Sequence, residues 1–166
     1  MNRSHLLLIL LGGVLLAAAA DLAWLYPQLP ERVATKFGAG GQPVAWTPRG
    51  SFLTVQIFSM GFVAALILGL WGAMPRLPAS LINLPHRHYW LAPEREAATR
   101  QWLGNLVLGL GIALLAFLTW VGHLVMRANL APEPRLASAF WWGTGLYLAG
   151  TLGLVAWLVL RFRLPR

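Results

Sequence analysis

LLLILLGGVLLAAAADLAWL, residues 6–25, is twenty residues long with Asp21 as its one charge. A bilayer core takes roughly 20 apolar residues to cross as a helix. Three further runs have the same character: Phe52–Met74, Trp102–Met126 and Ala139–Leu160. One such run alone would pass for a buried core helix. Four in a chain of 166 residues, 58% hydrophobic and 11% charged, leave too little polar sequence to wrap them in water. The expectation is an all-α integral membrane protein. It is a four-transmembrane-helix bundle and a single four-pass domain over 1–166, with the bilayer as its first partner.

The first run also has the outline of a signal peptide: basic MNRSH, an apolar stretch, then small residues before Asp21. It continues through DLAWLY to a full spanning length, which favours a retained helix.

The net charge of +8 does not mark a nucleic-acid binder, because the basic residues flank the apolar runs and form no dense stripe. Their distribution speaks to orientation instead. Arg3, the middle segment (Arg76, Arg87, Arg95, Arg100) and the C-terminal end (Arg161, Arg163, Arg166) give eight on one side. Arg32, Lys36, Arg49, Arg127 and Arg135 give five on the other. Both termini are expected inside, in a bacterial plasma membrane. Tryptophan, enriched at membrane interfaces, falls at the expected span ends. Trp24, Trp120, Trp141 and Trp142 are at the outer ends; Trp71, Trp90, Trp102 and Trp157 are at or near the inner ones. Trp46 lies outside this scheme.

With no cysteine, the loop after the first run has no disulfide to hold it. YPQLPERVATKFGAGGQPVAW, residues 26–46, ends the helix at Pro27 and Pro30. RVATKF reads as a short strand, GAGG as a turn with positive φ and QPVAW as a return, with Pro43 at an edge. A small outer hairpin and an irregular proline-rich connection are both compatible with this. The second polar segment, INLPHRHYWLAPEREAATRQWL (82–103), is expected along the inner interface, anchored by Tyr89 and Trp90. A helix is expected from near Ala92, with Pro93 at its first position and Glu94 and Glu96 in its first turn. Glu96 and Arg100 have i, i+4 spacing.

These two segments carry a resemblance. Residues 26–46 resemble the signature of the membrane family called domain of unknown function 1648 (DUF1648): a Tyr-Pro (Tyr26, Pro27), a Leu-Pro (Leu29, Pro30), a Phe (Phe37), a Gly (Gly41) and a Trp (Trp46). NLPHRHYWLAPER is similar to a second stretch of that family, through Asn83, Pro85, Tyr89, Trp90, Pro93 and Glu94. Two departures stand out. Lys36 replaces the family's His before Phe, and Ala34 replaces a Pro. The family includes relatives of the SdpI toxin-immunity and signalling protein. The resemblance therefore implies membrane location first and immunity second.

Asp21, Gln56, His123 and Thr144 fall at similar depth once helix direction alternates. Ionisable groups there cost a few kcal/mol unless paired or wet. An Asp21–His123 pair bonded by Gln56 would carry a proton, hold a small cation or grip a ligand. The plainer reading, snorkelling to the interface, is the one their distance from the surface favours. His86 and His88 can chelate on an extended chain, but a tetrahedral site needs more ligands, so no metal is assigned. Glycines recur at helical spacing in the last two spans and permit close helix contact or an oligomer. No phosphate-binding loop, nucleophile elbow or zinc-protease motif is present, so no catalytic residue and no cofactor are assigned. Three functions remain: receptor-like or immunity-like recognition of a peptide or lipid at the outer face, an accessory subunit with a membrane-protein partner, and a small oligomeric proton-coupled transporter.

Overall fold

A computed structural model describes residues 2–162; Arg163 and Arg166, counted above, lie outside the described residues. The elements run α1 (Arg3–Leu25), β1 (Arg32–Phe37), β2 (Pro43–Pro48), α2 (Arg49–Ala73), α3 (Arg87–Trp90), α4 (Glu96–Asn129) and α5 (Ala139–Arg161). Four of these, α1, α2, α4 and α5, are long and apolar enough to cross a membrane.

The central element is α4, 34 residues long and so roughly 51 Å at 1.5 Å per residue. It is longer than a bilayer core of ~30 Å is thick. Both α1 and α2 pack along it, and Leu11, Met60, Ala64, Ile67, Leu108 and Leu115 form their shared core. Lipid tails are as apolar as leucine, so close packing holds these helices together. Gly111 shows how. A side chain there would collide with Ile67, so the glycine is what lets α2 approach α4.

The opposite case is α5, which buries none of its residues. It leans on α4 through aromatic rings: Phe117 stacked on Tyr147 at 4.2 Å and Trp102 beside Trp157 at 6.0 Å.

Between α1 and α2 the chain forms an antiparallel hairpin. Pro27 falls in a single 3₁₀ turn, Tyr26–Gln28, that ends α1. The register runs from Arg32↔Pro48 to Phe37↔Pro43, with a bulge that leaves Thr35 without a partner. At the tip Gly41 has φ of 80°, a conformation that suits glycine. At the base Arg49 donates its backbone N–H to Glu31 (2.8 Å) and its guanidinium to the Leu29 carbonyl (3.1 Å). A second core of Leu25, Leu29, Val33, Phe52 and Met126 seats the hairpin on the bundle.

The segment before α4 departs from expectation. Helix α4 begins at Glu96, not near Ala92, so Pro93 and Glu94 lie in a preceding turn. Arg95 caps the helix with φ of −119°, while its side chain stacks 4.0 Å over Tyr89 and donates to the Tyr89 carbonyl. Nor is the His86–His88 stretch extended. His86 adopts a left-handed conformation (φ 52°) that opens α3.

Candidate functional site

The C-terminal turns of α1 and α4 and the N-terminal turns of α2 and α5 meet below the hairpin. There His123 Nδ1 lies 2.8 Å from Asp21 Oδ1. The pair is half-covered, with side-chain exposures of 43% for His123 and 24% for Asp21. Both line a cavity of about 350 Å³ between α1 and α4, otherwise walled by Val14, Ala17, Ala116, Trp120 and Thr119, whose hydroxyl donates to the Leu115 carbonyl (2.8 Å). When Nδ1–H donates to the carboxylate, His123 turns Nε2 to other partners. Nε2 accepts a hydrogen bond in the neutral ring and donates one in the charged ring. Together with the second oxygen of Asp21, it offers a polar pair in an apolar recess.

Gln56 does not complete this pair. Its amide covers Gly122, where a side chain would collide with it, and among the described residues it bonds neither Asp21 nor His123. Thr144 Oγ1 and Thr47 Oγ1 are buried without a protein partner.

The hairpin above is clamped by groups that sequence reasoning missed. Asn129, 4% exposed at the end of α4, receives the Ala34 N–H on Oδ1 (2.7 Å) and donates Nδ2 to the Ala34 carbonyl (2.9 Å). One side chain thus takes the place of a neighbouring strand. The bond needs the N–H of Ala34, which a proline at this position would lack. At the tip, Leu136 donates its N–H to Gly41 (2.8 Å) and Arg135 donates to Gly40 (3.2 Å), tying in the α4–α5 connection.

The other sequence candidates are spread around this site. Tyr26 is overlaid by Arg49 at 5.2 Å, while Pro27 and Pro30 are exposed on the turn leaving α1. Phe37 is half-buried at the end of β1. Lys36, Val44 and Trp46 are exposed on the hairpin.

Asn83, Pro85, Tyr89, Trp90, Pro93 and Glu94 lie at the opposite end of the bundle and do not join the site. Trp90 Nε1 donates to the Phe162 carbonyl (3.0 Å), and Thr99 donates to the Trp90 carbonyl (2.9 Å). Arg100 bonds the carbonyls of Met74 (2.9 Å) and Leu77 (2.7 Å) and pairs with Glu96 at 2.7 Å. It satisfies carbonyls at and just beyond the end of α2, a position that favours a cation. A cavity of about 720 Å³ adjoins it, bounded by Trp71, Met74, Pro93 and Gln101. The Glu96–Arg100 spacing and the motif residues from Asn83 to Glu94 signalled this region in the sequence; the carbonyls that Arg100 satisfies were not signalled. No group of three potential metal ligands occurs among the described residues.

Comparison with known proteins adds the lineage. The model of the family described as domain of unknown function (DUF1648) matches residues 13–59, from the middle of α1 through the hairpin into α2. An uncharacterized protein of Archaeoglobus fulgidus is 32% identical over 126 residues, 69% of this chain and 68% of that protein. No solved structure matches. The hairpin lies wholly inside the family match, and the archaeal similarity covers two thirds of each chain: this protein belongs to the DUF1648 family.

Proposed function

We propose that this is a receptor-like membrane protein that recognises an amphipathic ligand, a membrane-active peptide or a lipid, at the hairpin end of its bundle. The observation that supports this is the Asp21–His123 pair in an apolar recess open between α1 and α4. Ionisable side chains within a spanning helix are candidates for a functional site. Here the pair meets a groove suited to an apolar chain, at the same end of the bundle as exposed Val44 and Trp46. The excess of Arg and Lys at the far end supports an outward hairpin and inward termini. Immunity against a membrane-active agent is one use of such a site.

Cells lacking the protein, complemented with variants and challenged with a panel of membrane-active peptides, test this reading. Wild type is expected to change sensitivity to at least one peptide. Asp21→Asn, which inserts normally, is expected to lose that effect, as are Phe37→Ala and Trp46→Ala. Wild-type behaviour of all three variants would sink the reading. Topology is tested separately, since the chain has no cysteine of its own. Ala39→Cys is expected to react with an impermeant maleimide on intact cells and Ala98→Cys is not. The inverse pattern places the hairpin inside and removes the external ligand.

A second reading, an accessory subunit, is favoured by the uncovered length of α5. It predicts stoichiometric co-purification of a second membrane protein in mild detergent.

A further inference from the structure

A separate groove opens at the end of the bundle away from the hairpin, between α1, α4 and α5. Its volume is about 310 Å³. Leu7, Leu106, Leu110 and Leu154 wall it. Gly109 keeps it open, because a side chain placed there would meet nothing within 4 Å. From Trp102 to Leu110 it descends roughly 12 Å along α4, at 1.5 Å per residue.

The rim is chemically unlike the floor. Arg3, in the first turn of α1, lines it. Trp102 and Trp157 close it, and Arg161 stacks on both indoles, 5.2 Å and 5.7 Å from their centres. Asn105 also lines it. Its Oδ1 already accepts from the Ser4 hydroxyl (2.8 Å), which leaves its NH₂ to donate. No carboxylate lines the groove; Arg161 lies behind the indoles in an adjoining recess that Glu94 also lines, and neither Arg3 nor Arg161 forms an ion pair among the described residues. Arg100 nearby differs, since it is committed to Glu96 and to two carbonyls. The groove thus joins a hydrocarbon slot to the Arg3 guanidinium on its rim and to Arg161 behind the two indoles, neither in an ion pair among the described residues, at the level where interfacial tryptophans mark the headgroups.

We infer that this groove binds an anionic glycerophospholipid, one acyl chain in the slot and its phosphate at Arg3 and Arg161. A zwitterionic lipid fills the slot equally well but brings no net charge to the rim. The inference does not depend on what the hairpin recognises.

Native mass spectrometry of the full chain, released from detergent after titration with phosphatidylglycerol or phosphatidylcholine of identical acyl chains, tests it. Wild type is expected to retain phosphatidylglycerol in preference. Arg3→Gln and Arg161→Gln are each expected to weaken that retention about fivefold while leaving phosphatidylcholine unchanged. Arg3→Lys keeps the charge and is expected to keep the preference. Gly109→Leu fills the slot and is expected to reduce retention of both lipids. Equal retention of the two lipids by wild type overturns the inference, as does a preference that survives both glutamine variants. Displacement of the lipid by inorganic phosphate overturns it too, because the site would then select a free anion.

Discussion

At the scale of single residues, Asn129 and Ala34 show how a short hairpin is held without a disulfide. Ala34 is fully buried, and its peptide N–H and C=O both end on one amide. Replacing Asn129 by alanine orphans a buried donor and acceptor at once, at a cost of about 1–3 kcal/mol for each group left unmade. Asn129→Ala is therefore expected to lower the melting temperature in detergent and to speed amide hydrogen exchange at Ala34. Unchanged exchange at Ala34 would show that the clamp is not needed. The sequence offered Ala34 as a departure from a proline and gave no partner for it. The partner lies 95 residues away, an asparagine at the end of an otherwise apolar run, and nothing local distinguishes it from an interfacial polar residue. Asp21 and His123 were easier to single out, because a charge within an apolar run is conspicuous. Their separation of 102 residues is bridged only by the way α1 lies on α4.

At the scale of elements, helix length and composition were legible and helix partnership was not. Each apolar run corresponds to a helix in the structure, since twenty consecutive apolar residues have few other stable forms in a bilayer. Which helix is central depends on small residues meeting large ones. Gly111 against Ile67 settles the α2–α4 approach, but glycines at other positions, such as Gly109, face open space and look the same in sequence. Gly111→Val is expected to destabilise the bundle by about 1–3 kcal/mol through overpacking. Trimming its neighbour in Gly111→Val/Ile67→Ala is expected to return part of that loss, read as non-additivity in detergent melting. Strict additivity would place the two residues out of contact. The start of α4 was misplaced for a related reason. Pro93 suits a helix start by local preference, yet residues 92–95 close as a separate turn on the Ala92 carbonyl, with Arg95 over Tyr89, and the helix runs from Glu96.

At the scale of the whole molecule, the bundle is a three-helix core with a fourth helix leaning on it. Both core clusters draw on α1, α2 and α4, the second also on the hairpin through Val33, and neither includes a residue of α5. A chain ending at Leu136 is thus expected to insert, to stay monodisperse in detergent and to keep the hairpin amides protected, with only a modest drop in melting temperature. Aggregation of that shortened chain would show that α5 is integral to the core.

The contacts of α5 are unevenly placed. The segment leading into it is hydrogen-bonded to the hairpin tip through Leu136 and Gly41, and the residue that follows it is held by Trp90 through the Phe162 carbonyl. A stiff rod fastened at its two tips and resting on α4 between them, at Tyr147, works as a lever: a load at one tip is felt at the other. A molecule whose binding shifts Leu136 is expected to change how tightly the far tip is gripped. By reciprocity, whatever braces the far tip must change, by the same factor, the affinity of that molecule.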